Sequence, residues 1–406
     1  MCSKLSTKHL AFLACFLPFA AYSQIRTGFT INGHIDGLQN GEKVLMIYRS
    51  EFPKTVRIDS CFVVNDGDIN LKGGRVENGP AFYTLIFTFG PGPHRVRNET
   101  LKRNVGGMEC NLFVDNGDSI TIQGSNINNM PKADFTDQLA VSGSPSHFAW
   151  SSLKVVEDLF VPIIFNLNQK LAKVVDSIGF DRAMIGGIIE AKNSAYEELG
   201  KYLLNYGHAL YKPAMPILLE DLEGQLNEHA SFEMDVFNSL DEKTKHSEAG
   251  MRLQAFARLA IGQSLPGFTL PTPEGQQVAL SNVIAKSKLT LLHIWASNSV
   301  ERAQYQQDLK VQYKKYHERG LNIIGISADG NQSKWVSTIS KEEYPWINVS
   351  DLKGNQKGSI VNDLYLEGGH RVPNTTNILL DGNGKILAWD PNGAVLQYYL
   401  WKYLGD

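Results

Sequence analysis

The sequence predicts an α/β domain at its C-terminal end, preceded by an antiparallel β-sandwich or barrel-like domain and a helical linker domain. Three observations carry this reading. The hydrophobic period changes twice: short β-type runs give way to a helical repeat near residue 147, and that gives way to alternating strand and helix patterns near residue 261. The first stretch is cut at short intervals by Gly, Asn and Asp, as evenly spaced strands require. The last stretch contains Leu289–Trp295, a continuous apolar run suited to a strand buried on both faces.

The first residues read as an export address. Lys4 and Lys8 precede an apolar run from Leu10 to Ala21, and Ala21-Tyr22-Ser23 supplies small residues at −3 and −1. Cleavage is expected between Ser23 and Gln24, making residues 1–23 a signal peptide. The run is too short to span a bilayer, and Pro18 interrupts it. Cleavage before Cys15, as in a lipoprotein, would leave a stub of apolar region and is not the reading adopted. Removing residues 1–23 takes two lysines and moves the net charge from −3 to −5.

Residues 24–146 form the β-rich part. Strand-like runs lie at Lys43–Tyr48, Val56–Val64, Ala81–Phe89, Asn111–Val114 and Ser119–Gln123, and Asp66-Gly67 and Asn116-Gly117 between runs read as hairpin turns. Gly90-Pro91-Gly92-Pro93 has no following helix, and its prolines lack the N–H donors of a phosphate loop, so it reads as a surface loop. Residues 147–260 are helical. Leu153, Val156, Leu159 and Phe160 space as one helix face, Pro213 and Pro216 break helices, and Glu197-Glu198 and Glu220-Asp221 fall on solvent positions. In residues 261–406, Leu321–Ser327 is a second buried strand, Val300–His317 and Ser333–Ser340 are helices, and Ile378–Leu380 with Ile386–Trp389 flank a hairpin at Asp381-Gly382-Asn383-Gly384. Ala394–Leu404 closes as a helix.

Composition excludes several classes. With 43% hydrophobic and 20% charged residues, the chain is neither disordered nor collagen-like. Lys+Arg 39 against Asp+Glu 42 leaves no basic surplus for nucleic acid. Four cysteines in 406 residues are no disulfide framework. Cys61 and Cys110 alone follow the signal segment, and they read as one structural disulfide or as two buried thiols. No histidine spacing suggests a metal site, and no cofactor motif is found. Trp389, Tyr398, Tyr399, Trp401 and Tyr403 read as packing at helical spacing.

The last stretch resembles the thioredoxin-like superfamily, specifically the TlpA-like and alkyl-hydroperoxide-reductase-like (redoxin) group. Ile261–Leu270 is similar to the family's lead-in segment, and Leu291-Leu292-His293-Ile294-Trp295-Ala296-Ser297 to the strand that enters its active site. Gly320–Ser327, Trp335 and Asn377–Gly384 match later strands and the hairpin. The resemblance implies a Trp-Cys-x-x-Cys motif at the start of the first long helix, where backbone N–H groups and the helix dipole stabilise a thiolate. Here that motif reads Asn298-Ser299-Val300-Glu301-Arg302: Ser299 takes the nucleophile position and Arg302 the resolving position. Residues 261–406 contain no cysteine.

A serine nucleophile needs a base held by a third group. His293 is the nearest histidine, on the preceding strand. The structural reading is that Asn298 caps the helix, with Glu301 three residues on. The family's cis-proline loop falls on Thr375 when counted back from Asp381, or on Pro373 with a two-residue bulge. Trp295, Asn298, Ser299, Arg302, Pro373, Asn374 and Thr375 are therefore the binding candidates around a groove with no catalytic dithiol. The expected function is non-catalytic: an adaptor or chaperone-like protein of the periplasm or cell envelope of a Gram-negative bacterium. Its expected partner is an envelope protein or a peptide, with no membrane span after cleavage and an oligomer open. The alternative, implied by the family, is a thiol-disulfide oxidoreductase or peroxidase.

Overall fold

A computed structural model describes residues 28–51, 54–76, 80–88, 97–98, 103–104, 108–125, 139–177, 181–205, 212–226, 229–299, 302–354, 356–365 and 375–406. The signal segment and the 90–93 loop lie outside these residues.

The N-terminal part contains β1 (Phe29–Ile35), β2 (Lys43–Glu51), β3 (Lys54–Val63), β4 (Asp68–Gly73), β5 (Ala81–Thr88), β6 (Arg97–Asn98), β7 (Arg103–Asn104), β8 (Met108–Val114), β9 (Ser119–Gly124) and β10 (Ala140–Ser142). One sheet runs β10-β9-β1-β4 and the other β3-β2-β5-β8. Alternation along each strand puts Ile31, Ile69, Leu71, Ile120 and Ile122 of the first sheet against Val44, Met46, Leu85 and Leu112 of the second. The pairing departs from a purely antiparallel sandwich at β1 and β9, which run parallel.

The two turn dipeptides form tight turns, and neither closes a hairpin. Asp66 and Gly67 have φ 54° and 78°, the left-handed pair of such a turn. Yet β3 belongs to the second sheet and β4 to the first, and β8 and β9 are divided in the same way around Asn116-Gly117. Both turns carry the chain across the sandwich. Asn116 anchors its corner, accepting from Val76 N–H at 2.9 Å and donating to Val76 C=O at 2.6 Å.

Helix α1 (Pro145–Ser177) starts where Ser144 Oγ accepts the His147 N–H at 3.0 Å and Pro145 occupies the first helical position, whose N–H has no helical partner. It packs on the outer face of the second sheet, where Phe82 meets Trp150 edge-on at 5.1 Å. α2 (Arg182–Asn205), α3 (Met215–Leu226), α4 (Glu233–Ser239), α5 (Glu242–Lys245) and α6 (Glu248–Ala257) complete a helical core around Leu199, Leu203, Leu218, Val236 and Leu253. Glu220 is not a purely solvent residue: its carboxylate takes both Arg252 Nε and Nη2, at 3.0 and 2.9 Å, clamping α3 to α6.

The C-terminal part has β11 (Thr269–Pro271), β12 (Gln277–Ala279), α7 (Leu280–Ile284), β13 (Leu289–Trp295), α8 (Arg302–Tyr316), β14 (Leu321–Ser327), α9 (Gln332–Glu342), β15 (Ile347–Val349), α10 (Ile360–Tyr365), β16 (Thr375–Asp381), β17 (Ile386–Trp389) and α11 (Gly393–Leu404). The five-stranded sheet runs β15-β14-β13-β16-β17, parallel up to β13 and antiparallel beyond it. This is the thioredoxin-like arrangement. Leu292, Ile294, Ile324, Ile326, Ile378 and Leu380 fill one face. Leu289, Leu291, Ile323 and Leu379 fill the other, under Leu309 of α8 and Leu400 of α11. The lead-in segment covers the β17 edge: Ile386 N–H donates to Gln263 C=O at 2.9 Å and Gly262 N–H to Ile386 C=O at 2.8 Å.

Of the C-terminal aromatics, Trp389 and Tyr398 are packing groups, while Tyr403 is exposed. Trp389 Nε1 donates to Leu259 C=O at 2.8 Å and its ring lies 4.5 Å from His229, while Tyr398 is buried against Gly186 of α2. Arg182 sits over Trp401 and pairs with Asp406. Among the described residues no helix is long and apolar enough to cross a membrane.

Candidate binding site at the strand ends

The site forms where β13 and β14 end and β16 begins, because parallel strands converge their carboxyl ends on one edge of an α/β sheet. The β13–β16 register is unbroken from Leu289–Asp381 to Trp295–Thr375. Thr375, not a bulged Pro373, therefore stands across from the end of the active-site strand. Pro373 and Asn374 lie outside the described residues.

Ser299 is 7% exposed and shares a hydrogen bond with Thr375, Oγ to Oγ1, at 2.8 Å. Its N–H closes a turn onto Ala296 C=O at 3.1 Å. Asn298 at the tip of that turn is exposed. α8 is described from Arg302 onward, and residues 300 and 301 between it and this turn lie outside the described residues. The side chains of Val300, Glu301 and Arg302 lie outside the described residues. Trp295 is also not a groove residue. It is fully buried beneath the site, edge-on to Tyr344 at 5.4 Å, because period-two alternation turns it onto the covered face of the sheet.

Asp329, which the sequence analysis did not single out, holds the turn in place. Its carboxylate accepts the Ser297 N–H at 3.1 Å, the Ser297 hydroxyl at 2.7 Å and the Ser327 hydroxyl at 2.8 Å. A buried carboxylate with three donors is fixed in position, and it fixes the loop that carries Ser299. The available signal was only Ser327-Ala328-Asp329 at the end of a buried strand.

His293 and Asn377 form a second buried polar pair on the same face. Asn377 Nδ2 donates to Pro391 C=O and Asn392 Oδ1, which turns its Oδ1 toward His293 Nδ1 at 2.9 Å. An acceptor there keeps the imidazole proton on Nδ1. The Ser299 hydroxyl is engaged with Thr375 and His293 Nδ1 with Asn377, so the two are not arranged as nucleophile and base through that nitrogen.

The cysteines are far from the site and from each other. Cys110 is buried in the sandwich core on β8, and Cys61 lies on β3 of the same sheet with β2 and β5 between. Three strand spacings of about 4.8 Å separate their backbones by roughly 14 Å, twice the ~7 Å limit for a disulfide. A Cys61–Cys110 bridge, one of the two readings of the sequence, is therefore not formed by this sheet. Among the described residues no group of three His, Cys, Asp or Glu side chains is placed to hold a metal ion.

Comparison with known proteins matches residues 261–388 to the AhpC/TSA family. The C-terminal part of this chain is an AhpC/TSA-family domain. Residues 29–150 match DUF4369, a domain of unknown function. A thiol-disulfide oxidoreductase from Bacteroides fragilis is 30% identical, the match covering 34% of this chain and 98% of that one, with TM-score 0.31. The chloroplastic peroxiredoxin Q of Sedum lineare is 27% identical over 135 residues, 32% of this chain and 68% of its own. The thiol-disulfide oxidoreductase ResA of Bacillus cereus is 24% identical over 131 residues, 32% of this chain and 69% of its own. Each of these relatives is matched over about a third of this chain.

Proposed function

We propose that this protein is an exported, non-catalytic binding protein of the cell envelope, an adaptor or chaperone-like factor. In this reading the thioredoxin-like site holds an extended peptide or a partner protein without thiol chemistry. The observation that carries it is the Ser299–Thr375 hydroxyl pair, buried and mutually hydrogen-bonded where the resemblance places the reactive cysteine and the cis-proline. A serine hydroxyl forms no mixed disulfide, and residues 261–406 hold no thiol to take its place. The exposed Asn298 tip and the start of β16 offer polar and backbone groups to a strand-like ligand. Export is supported by the signal-like residues 1–23.

The relatives' names favour a second reading, thiol-disulfide exchange or peroxide reduction. It would have to work through Cys61 or Cys110, in the other domain.

Hydrogen exchange on the purified protein, with and without a reduced and alkylated unfolded polypeptide, tests the binding reading. Protection at residues 296–299, 328–330 and 375–376 is the expected result. Protection confined to residues 28–125, or none, would overturn it.

A further inference from the structure

Four adjacent strands of the C-terminal sheet carry a row of small or polar residues on the face under α8. Asn348 on β15, Gly325 on β14, His293 on β13 and Asn377 on β16 stand in register in that order. The His293–Asn377 hydrogen bond completes one end of the row. At the other end, three polar atoms from three residues converge on Gly325. A Cβ there would lie 2.4 Å from Asn348 Oδ1, 3.1 Å from Trp346 Nε1 and 3.2 Å from Trp295 Nε1. All three side chains are buried, Trp295 at 0% and Trp346 and Asn348 at 6% exposure. Among the described residues none supplies a hydrogen-bond partner for any of these three atoms. Asn348 is not free to turn away: its Nδ2 donates to Trp346 C=O at 2.9 Å, which leaves Oδ1 toward Gly325. Buried polar groups that protein atoms do not reach are ordinarily paired with ordered water.

We propose that one structural water molecule is bound above Gly325, accepting the indole N–H groups of Trp295 and Trp346 and donating to Asn348 Oδ1. The donor set selects this ligand. Two indole N–H groups demand lone pairs, which an ammonium or a metal cation does not offer, and the amide oxygen demands a hydrogen, which a halide does not have. Water offers both and is satisfied by three such partners. Glycine at 325 leaves it room. The three atoms lie within 3.2 Å of the point a Cβ would occupy, so a water slightly farther from the strand reaches them at ordinary hydrogen-bond distance. The two indoles are held in place by one ring: Tyr344 stacks on Trp346 at 5.4 Å and meets Trp295 edge-on at 5.4 Å. Trp295 ends β13 just before the Ser297–Ser299 turn. The water therefore ties the floor of the candidate site to β15, the far edge of the sheet.

A crystal structure of the whole chain, at a resolution that shows ordered water, is expected to place one peak about 2.7–3.2 Å from each of the three atoms. No peak there, or a Trp346 indole bonded directly to Asn348 Oδ1, overturns the proposal. In solution, rotating-frame Overhauser spectra are expected to show cross-peaks of dipolar sign between water and both indole N–H protons, assigned with Trp295→Phe and Trp346→Phe. Cross-peaks on one indole only, or on neither, overturn it. Gly325→Ala sets a methyl group against the water and is expected to remove both cross-peaks. A folded Gly325→Ala chain that keeps them overturns the proposal, and the wild-type spectra decide it where that variant does not fold.

Discussion

His147 shows how one side chain couples the sandwich to the helical region and to pH. Its ring accepts the Phe113 N–H at 3.4 Å, and burial pushes its pKa down from 6.5 to about 4. The imidazole is neutral in the folded protein, while the unfolded chain takes up a proton below pH 6.5. Stability is therefore lost as pH falls from about 6.5 toward 4, by ~2 kcal/mol at pH 5. Urea denaturation at pH 7.5 and pH 5 should show this loss in the wild type and a much smaller one in His147→Gln. Asp329 makes the sharper structural demand. Asp329→Ala leaves the Ser297 N–H and two hydroxyls without their acceptor and should lower stability by about 2–3 kcal/mol, read from the urea midpoint at constant m-value. A change under 0.5 kcal/mol would mean that the turn is held by something else. Neither role was legible in the sequence, because both depend on which strand end lies beside which.

At the scale of elements, the sequence pattern was informative where period and burial agree. Leu289–Trp295 and Leu321–Ser327 are strands with the bounds their runs imply, since a strand covered on both faces stays buried along nearly its whole length, through Thr290, His293 and Ser327 as well as its apolar residues. The Asp66-Gly67 and Asn116-Gly117 turns show the limit of local signals. Left-handed φ values specify a tight turn, and the partner sheet of the outgoing strand is set by packing far away. Before α8 the chain makes a further turn through Ser297–Ser299, tied to Asp329, which the residue types Asn298 and Ser299 did not announce. Gly325 on β14 gives a test at this scale. A Cβ there would lie 2.4 Å from Asn348 Oδ1 and 3.1 and 3.2 Å from the indole nitrogens of Trp346 and Trp295. Gly325→Ala should cost about 1–3 kcal/mol, measured by thermal unfolding, and an unchanged midpoint would show that this layer yields freely.

Across the whole molecule, the interfaces between units are where sequence reading had least purchase. Tyr398 of α11 seats on Gly186 of α2, and a Cβ at Gly186 would come within 2.8 Å of the ring. Val174, Ile185 and Ile189 surround the same contact. Gly186→Val should loosen the AhpC/TSA domain from the helical region and turn one calorimetric transition into two, and a single unshifted transition would contradict the contact's importance. The site's proposed property, a thioredoxin-like site without thiol chemistry, rests on Ser299 and Arg302 at the positions where the resemblance places two cysteines, and the fold sets Ser299 at the strand ends beside Thr375.

Reduction of insulin disulfides by the purified protein, beside a Ser299→Cys plus Arg302→Cys variant, tests that property most directly. The account predicts no turnover above the uncatalysed rate for the natural chain and measurable turnover for the variant. Catalysis by the natural chain, abolished by replacing Cys61 or Cys110, would contradict it.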